Sequence, residues 1–234
     1  MDNNTIFLKV KQRLNKLASN DYDNIECWQV VEAFNKGQVE WCRRNLHGTN
    51  IKQEGDEQSK RRIDDLQRLL TSLPLAMTDH QLFYESSALP GDYMEWKRIS
   101  TQAVNPCCDK PRRMIVYLAE EANVDELLRD KNKQPSYEWG ETFCTLIDNK
   151  IRIYTDGKFV VANTELYYYR QPLRIQMLNC VDPYTQQTST VDVPCEFKDD
   201  MVEVFIDEAV KIIAGDIESL NQMQRASQSV EQNN

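Results

Sequence analysis

At 234 residues, with 41% hydrophobic and 28% charged residues, the chain has the composition of a folded globular protein rather than a disordered one. A formal net charge of −9 argues against gripping nucleic acid by counterion release. No apolar run approaches the roughly 20 residues of a membrane span, and no basic stretch followed by an apolar one opens the chain, so no membrane partner is expected.

The first 72 residues read as a helical arm. Thr5 or Asn4 is placed to cap a first helix, with Ile6, Val10, Leu14 and Leu17 on one stripe. Asn20-Asp21 interrupts, and Asp23 opens a second helix that Gly48 closes. Along it Trp28, Val31, Phe34, Val39, Trp41, Cys42 and Leu46 share one half of the circumference. Arg43, Arg44 and His47 gather at its end, where cations suit the helix dipole, so His47 reads as a helix-end group rather than a ligand. Beyond a polar loop at 49–55, Asp56-Glu57 starts a third helix with Ile63, Leu66, Leu70 and Leu73 on its buried stripe and Pro74 as its stop.

An α+β core is expected over 73–220. Its first parts are a strand at 81–87, a turn at Leu89-Pro90-Gly91-Asp92-Tyr93 and an extended segment at 94–104. A loop at 105–112 follows, with Pro106, Pro111 and the adjacent Cys107-Cys108, and then a short helix with Val124, Leu127 and Leu128 inward. Residues 136–175 read as a small antiparallel β-meander. Ile151 and Ile153 alternate with Arg152 and Tyr154, Asp148-Asn149 and Asp156-Gly157 are turn pairs, and the strand Leu166-Tyr167-Tyr168-Tyr169-Arg170 ends at Pro172. Residues 176–195, with Asp182-Pro183 and many hydroxyl side chains, read as an exposed loop.

A long closing helix spans 197–220. Met201, Val204, Phe205, Ala209, Ile212 and Ile213 follow helical spacing, and Val202, Ile206 and Val210 add a second apolar face, so the helix packs in the core or between subunits. The tail at 221–234 has too little apolar content to order without a partner. Charge is uneven: residues 1–72 carry 12 basic and 11 acidic groups, whereas residues 196–220 carry eight acids against Lys198 and Lys211.

Catalytic motifs are missing. The chain has two histidines and no phosphate-cradling, dinucleotide or zinc-protease signature. Asp199-Asp200 and Asp207-Glu208 diverge around a helix by about 100°, which suits solvation better than chelation. The seven cysteines are odd in number and include no CxxC, so they read as reduced thiols in a reducing cytoplasm, several of them buried. No catalytic residue, metal site or cofactor is assigned.

The order of these elements resembles the head-to-tail connector, or adaptor, proteins of tailed bacteriophages. The words that carry the likeness are Leu89-Pro90-Gly91-Asp92-Tyr93, then Tyr167-Tyr168-Tyr169-Arg170-Gln171-Pro172, then Val193-Pro194-Cys195-Glu196-Phe197 leading into the closing helix. The start, Ile25-Glu26-Cys27-Trp28-Gln29 to Trp41, looks most like the ring proteins of crAss-like podoviruses of gut bacteria. The resemblance implies a non-enzymatic virion protein at the head–tail junction, assembled in the host cytoplasm as a dodecameric ring beneath the portal. Its partners would be its own copies, the portal, other ring or tail proteins, and genome DNA passing without specific binding. On that reading the assembly contacts fall to Trp28, Trp41, Tyr168, Arg170, Pro172, Phe205, Ile206 and Val210. Glu203, Asp207, Glu208 and Asp216 form an acidic face, solvated or repelling DNA. Two other readings stand beside it: a phage-encoded cytoplasmic interaction module, and an enzyme with a cysteine nucleophile.

Overall fold

Asp2, rather than Thr5 or Asn4, caps the first helix: its carboxylate accepts the Thr5 amide at 3.2 Å, and helix α1 runs Asn3–Leu14. Ile6, Val10 and Leu14 form its buried stripe, at the spacing the sequence gives them. This structure, a computed structural model, describes residues 1–15, 25–47, 64–105, 108–216 and 227–228. The expected cap at Asp23, the stripe residue Leu17, most of the third helix and nearly all of the tail at 221–234 lie outside the described residues. Helix α2 covers Cys27–His47. Of the third helix residues 64–66 are helical, but Leu70 and Leu73 belong to a strand, β1 (Leu70–Pro74). Here pairing overrides helical spacing, because β1 lies antiparallel against the tyrosine-rich strand 160–170.

The chain divides into two units, Leu69–Gln171 and a second made of Met1–Arg68 with Pro172–Asn234. The first holds one eight-stranded sheet. Besides β1 its strands are β2 (Met77–Asp79), β3 (Phe83–Ser86), β4 (Tyr93–Asn105), β5 (Cys108–Leu118), β6 (Glu141–Ile147), β7 (Lys150–Tyr154) and β8 (Val160–Arg170), in the order β1-β8-β4-β5-β6-β7-β3-β2. The pair β6–β7 is the hairpin expected at Asp148-Asn149, whose φ values of 48° and 57° suit a two-residue turn. The meander ends there. Asp156-Gly157 turns the chain without pairing β7 to β8; β7 lies beside β3, and β8 sits between β1 and β4. The predicted loop at 105–112 is also largely strand, since β4 and β5 pair as far as Asn105 and Cys108. Pro111 is tolerated because the ladder is irregular between Ala103 and Asn105, opposite it.

Strands β5 and β6 are parallel, and the crossover between them carries a 3₁₀ turn (Glu121–Asn123) and helix α3 (Val124–Arg129). Val124, Leu127 and Leu128 face inward as their spacing predicts, packing with Phe143 and Tyr154. The other face of the sheet buries Ile99, Met114, Val116, Ile151, Ile153 and Leu166 among others.

The second unit is helical. Helix α4 (Asp199–Asp216), the closing helix, packs on α2 and α1, so its two apolar faces are accounted for within one chain. Phe205 is fully buried, edge-on to Phe34, Trp41 and Phe197 with ring centroids 5.0–5.9 Å away. Gly37 marks a close approach of α2 to α4, its missing side chain making room for Glu208 and the α4 backbone.

Candidate assembly surface

The segment after Pro172, expected to be an exposed loop, is an ordered hairpin in the helical unit. Gln176 and Val193 exchange backbone hydrogen bonds at 3.1 and 2.9 Å, and further out Asn179 and Cys180 bond to Ser189 while Asp182 bonds to Gln187. Two asparagines of the helices hold its base. Asn35 of α2 acts as a strand partner, donating to the Ile175 carbonyl at 3.2 Å and accepting the Ile175 amide at 2.8 Å. Asn3, buried at the start of α1, donates to the carbonyls of Gln176 and Val193 and to the Asp192 carboxylate, all within 2.9 Å.

Further out the hairpin is tied to α2 covalently. Cys27 and Cys180 form a disulfide across 153 residues of sequence, which corrects the expectation of seven reduced thiols. One residue along, the Trp28 ring meets Tyr184 edge-on at 6.2 Å. Between α2 and the hairpin lies a groove of about 850 Å³, bordered by Trp28, Val31 and Arg43 on one side and Met177, Cys180 and Tyr184 on the other. Among the exposed residues of the hairpin are four large apolar ones: Leu178, Val181 and Val191 are about half exposed and Tyr184 is 78% exposed.

Most residues assigned to assembly from sequence fall elsewhere. Trp41, Tyr168, Pro172, Phe205, Ile206 and Val210 are all buried within the single chain. Trp41, Phe205, Ile206 and Val210 fill the helical unit because α4 finds both of its apolar partners in α1 and α2. Trp28 and Arg170 keep partial exposure. Tyr168 instead joins two of the sequence words: its hydroxyl donates to Asp92 at 3.1 Å, its ring lies 5.7 Å from that of Tyr93, and Gln171 donates to the Asp92 carbonyl.

The acidic face is corrected as well. Glu203 accepts from Lys9 and Arg13, Asp207 accepts from Arg13, and Glu208 accepts from Arg44. These acids pair with cations from α1 and α2 rather than facing solvent as an unpaired row, and only Asp216, the last residue of α4, is exposed as expected.

No described thiol outside the disulfide is poised as a nucleophile. Burial pushes the Cys144 thiol up to about 12 and raises Cys42 further, and burial also lifts Cys195 to about 11. His80 is exposed and stacks on Phe83 at 5.0 Å. Among the described residues no group of histidine, cysteine and carboxylate side chains could hold a metal ion, and no helix is long and apolar enough to cross a membrane. No protein-family model matches the chain, and a search of curated proteins finds no match.

Proposed function

We propose that the chain is a non-enzymatic structural subunit of a phage virion, forming an oligomeric ring at the portal–tail junction through which DNA passes. Twelve copies is the number the resemblance to connector proteins implies. The reading rests on that resemblance together with one feature of the molecule, the stapled hairpin. Leu178, Val181, Tyr184 and Val191 leave apolar surface on the hairpin in water that a neighbouring subunit could cover. Because Asn3 and Asn35 already fix its base, part of the ordering cost is met before a neighbour covers it. In a ring the contact is head-to-tail, with the hairpin of one subunit lying on a different surface of the next.

The test is assembly. Native mass measurement and electron microscopy of the chain, alone and mixed with a candidate portal protein from the same genome, should show closed rings. The Val181→Asp/Tyr184→Asp variant should stay folded, with unchanged far-ultraviolet dichroism, yet fail to form them. Wild-type protein that remains a single copy with the portal present would overturn the proposal.

A further inference from the structure

Five cysteines have described side chains, and only Cys27 and Cys180 are joined. Their positions divide the hairpin in two. Its base is held by Asn3 and Asn35, contacts in which no sulfur takes part. Its outer half, residues 177–190, is held to α2 by the disulfide and by the Trp28–Tyr184 edge contact beside it. Breaking the sulfur bond therefore removes the principal tie on the outer half and leaves the base intact.

The two sulfurs are also placed asymmetrically. Cys180 is only 8% exposed and borders the groove, so a small thiol reaches its sulfur by way of the groove. Cys27 is the first residue of the 21-residue helix α2, where the helix dipole favours an anion. Attack at the Cys180 sulfur then expels Cys27 as the better-stabilised thiolate.

We infer that Cys27–Cys180 is a redox clasp that sets whether the outer hairpin is fixed against α2 or free. Opening consumes two low-molecular-weight thiols: the first forms a mixed disulfide with Cys180 and releases Cys27, and the second displaces Cys180. The two small thiols leave joined as one small disulfide, having supplied two electrons, and their protons end on Cys27 and Cys180. Closing is the reverse, with a small disulfide as oxidant. Opening releases Tyr184 from Trp28 and widens the groove, so the ambient thiol–disulfide poise decides whether the outer hairpin is fixed or mobile. Resting on the virion reading, rings assemble in the host cytoplasm with the clasp open, and the clasp closes on the docked hairpin after release from the cell. The clasp itself does not depend on that reading.

Hydrogen exchange read by mass spectrometry on the purified full-length chain tests it. Samples are compared before and after a mild thiol reductant, with alkylation confirming that two thiols have been freed. Exchange in 177–190 should rise about tenfold or more, while the hairpin base, α1, α2 and α4 hold their protection. Oxidised glutathione should restore the slow exchange. The Cys27→Ser/Cys180→Ser variant should exchange fast in that segment with or without reductant. Unchanged exchange after both thiols are freed would overturn the clasp. So would loss of protection throughout the helices, which marks a structural cross-link, or a bond that yields only in denaturant. All of this is read on single copies, so a chain that forms no ring can still pass, and one that forms rings can still fail.

Discussion

Arg44 Nη1 lies 2.6 Å from Glu208 Oε1, and the Glu208 side chain is 1% exposed. A carboxylate so deeply placed between α2 and α4 depends on its partner, since an unpaired buried charge is far more costly than an absent pair.

Arg44→Met should therefore destabilise the chain by about 3–5 kcal/mol in urea denaturation. Adding Glu208→Gln should recover much of that loss, because no uncompensated charge is left. Lys9→Met, at a pair about one-third exposed on both sides, should cost less than about 1 kcal/mol. Equal costs for Arg44→Met and Lys9→Met would show that Glu208 reaches water.

Much of this architecture is legible in the sequence, and the misses share one cause. The stripe of α1, the aromatic face of α2, the turn at Asp148-Asn149 and the two apolar faces of α4 are local patterns, and they appear where spacing puts them. What spacing does not carry is the distant partner. Leu70 and Leu73 fit a helix until β8 supplies a strand to pair with. Glu203 and Asp207 look like a solvated row until Lys9 and Arg13, about 190 residues earlier, are folded against them. The hairpin at 176–193 has few strand-forming runs; its order comes from two asparagines and a disulfide donated by the helices. Asn3 and Asn35 have no sequence signature at all. Nothing in the spacing of Cys27 and Cys180 links them.

Neutralising those acids separates an ion-pair role from a DNA-repelling one. With a net charge of −9 the chain should show no measurable affinity for duplex DNA at physiological salt. Glu203→Gln/Asp207→Asn should leave that unchanged, because both carboxylates already face cations. The same variant should lose about 1–2 kcal/mol of stability through the hydrogen bonds given up by Lys9 and Arg13. DNA retention gained by the variant in a salt titration would restore the repelling face.

Glu85 links the sheet to pH. It accepts from Lys150 Nζ at 2.8 Å and Arg152 Nε at 2.9 Å, tying β3 to β7, and these two hydrogen bonds hold its carboxyl below the ordinary glutamate value. A carboxylate lowered on folding stabilises the fold fully above the unfolded-chain value of about 4.3. That contribution fades as pH falls through the lower folded-state value. The stability gap between wild type and Glu85→Gln should thus be present at neutral pH and close in acid. A gap independent of pH would assign the effect to packing.

Gly37 sits where α2 faces α4 at a distance that a substitution can probe. A Cβ there would lie 3.1 Å from Glu208 Cβ, with the Phe205 carbonyl oxygen and the Ala209 nitrogen each 3.6 Å away. Carbon atoms prefer separations of about 3.5–4.0 Å, so something must give by a few tenths of an ångström. Glu208 Cβ is attached directly to the α4 backbone, and its carboxylate is held by Arg44, so it cannot swing aside. The helices themselves would part, loosening Phe205 against Phe34 and Trp41. Replacing glycine by alanine inside a helix contributes about 1 kcal/mol in the opposite direction. Overpacking costs about 1–3 kcal/mol, so Gly37→Ala should come out about 1 kcal/mol less stable. Gly37→Leu, which cannot be absorbed by small shifts, should lose more than about 3 kcal/mol or fail to fold. Urea midpoints at unchanged slope measure both. A Gly37→Ala protein more stable than wild type would mean that propensity wins, and that α2 and α4 have slack where the geometry shows contact.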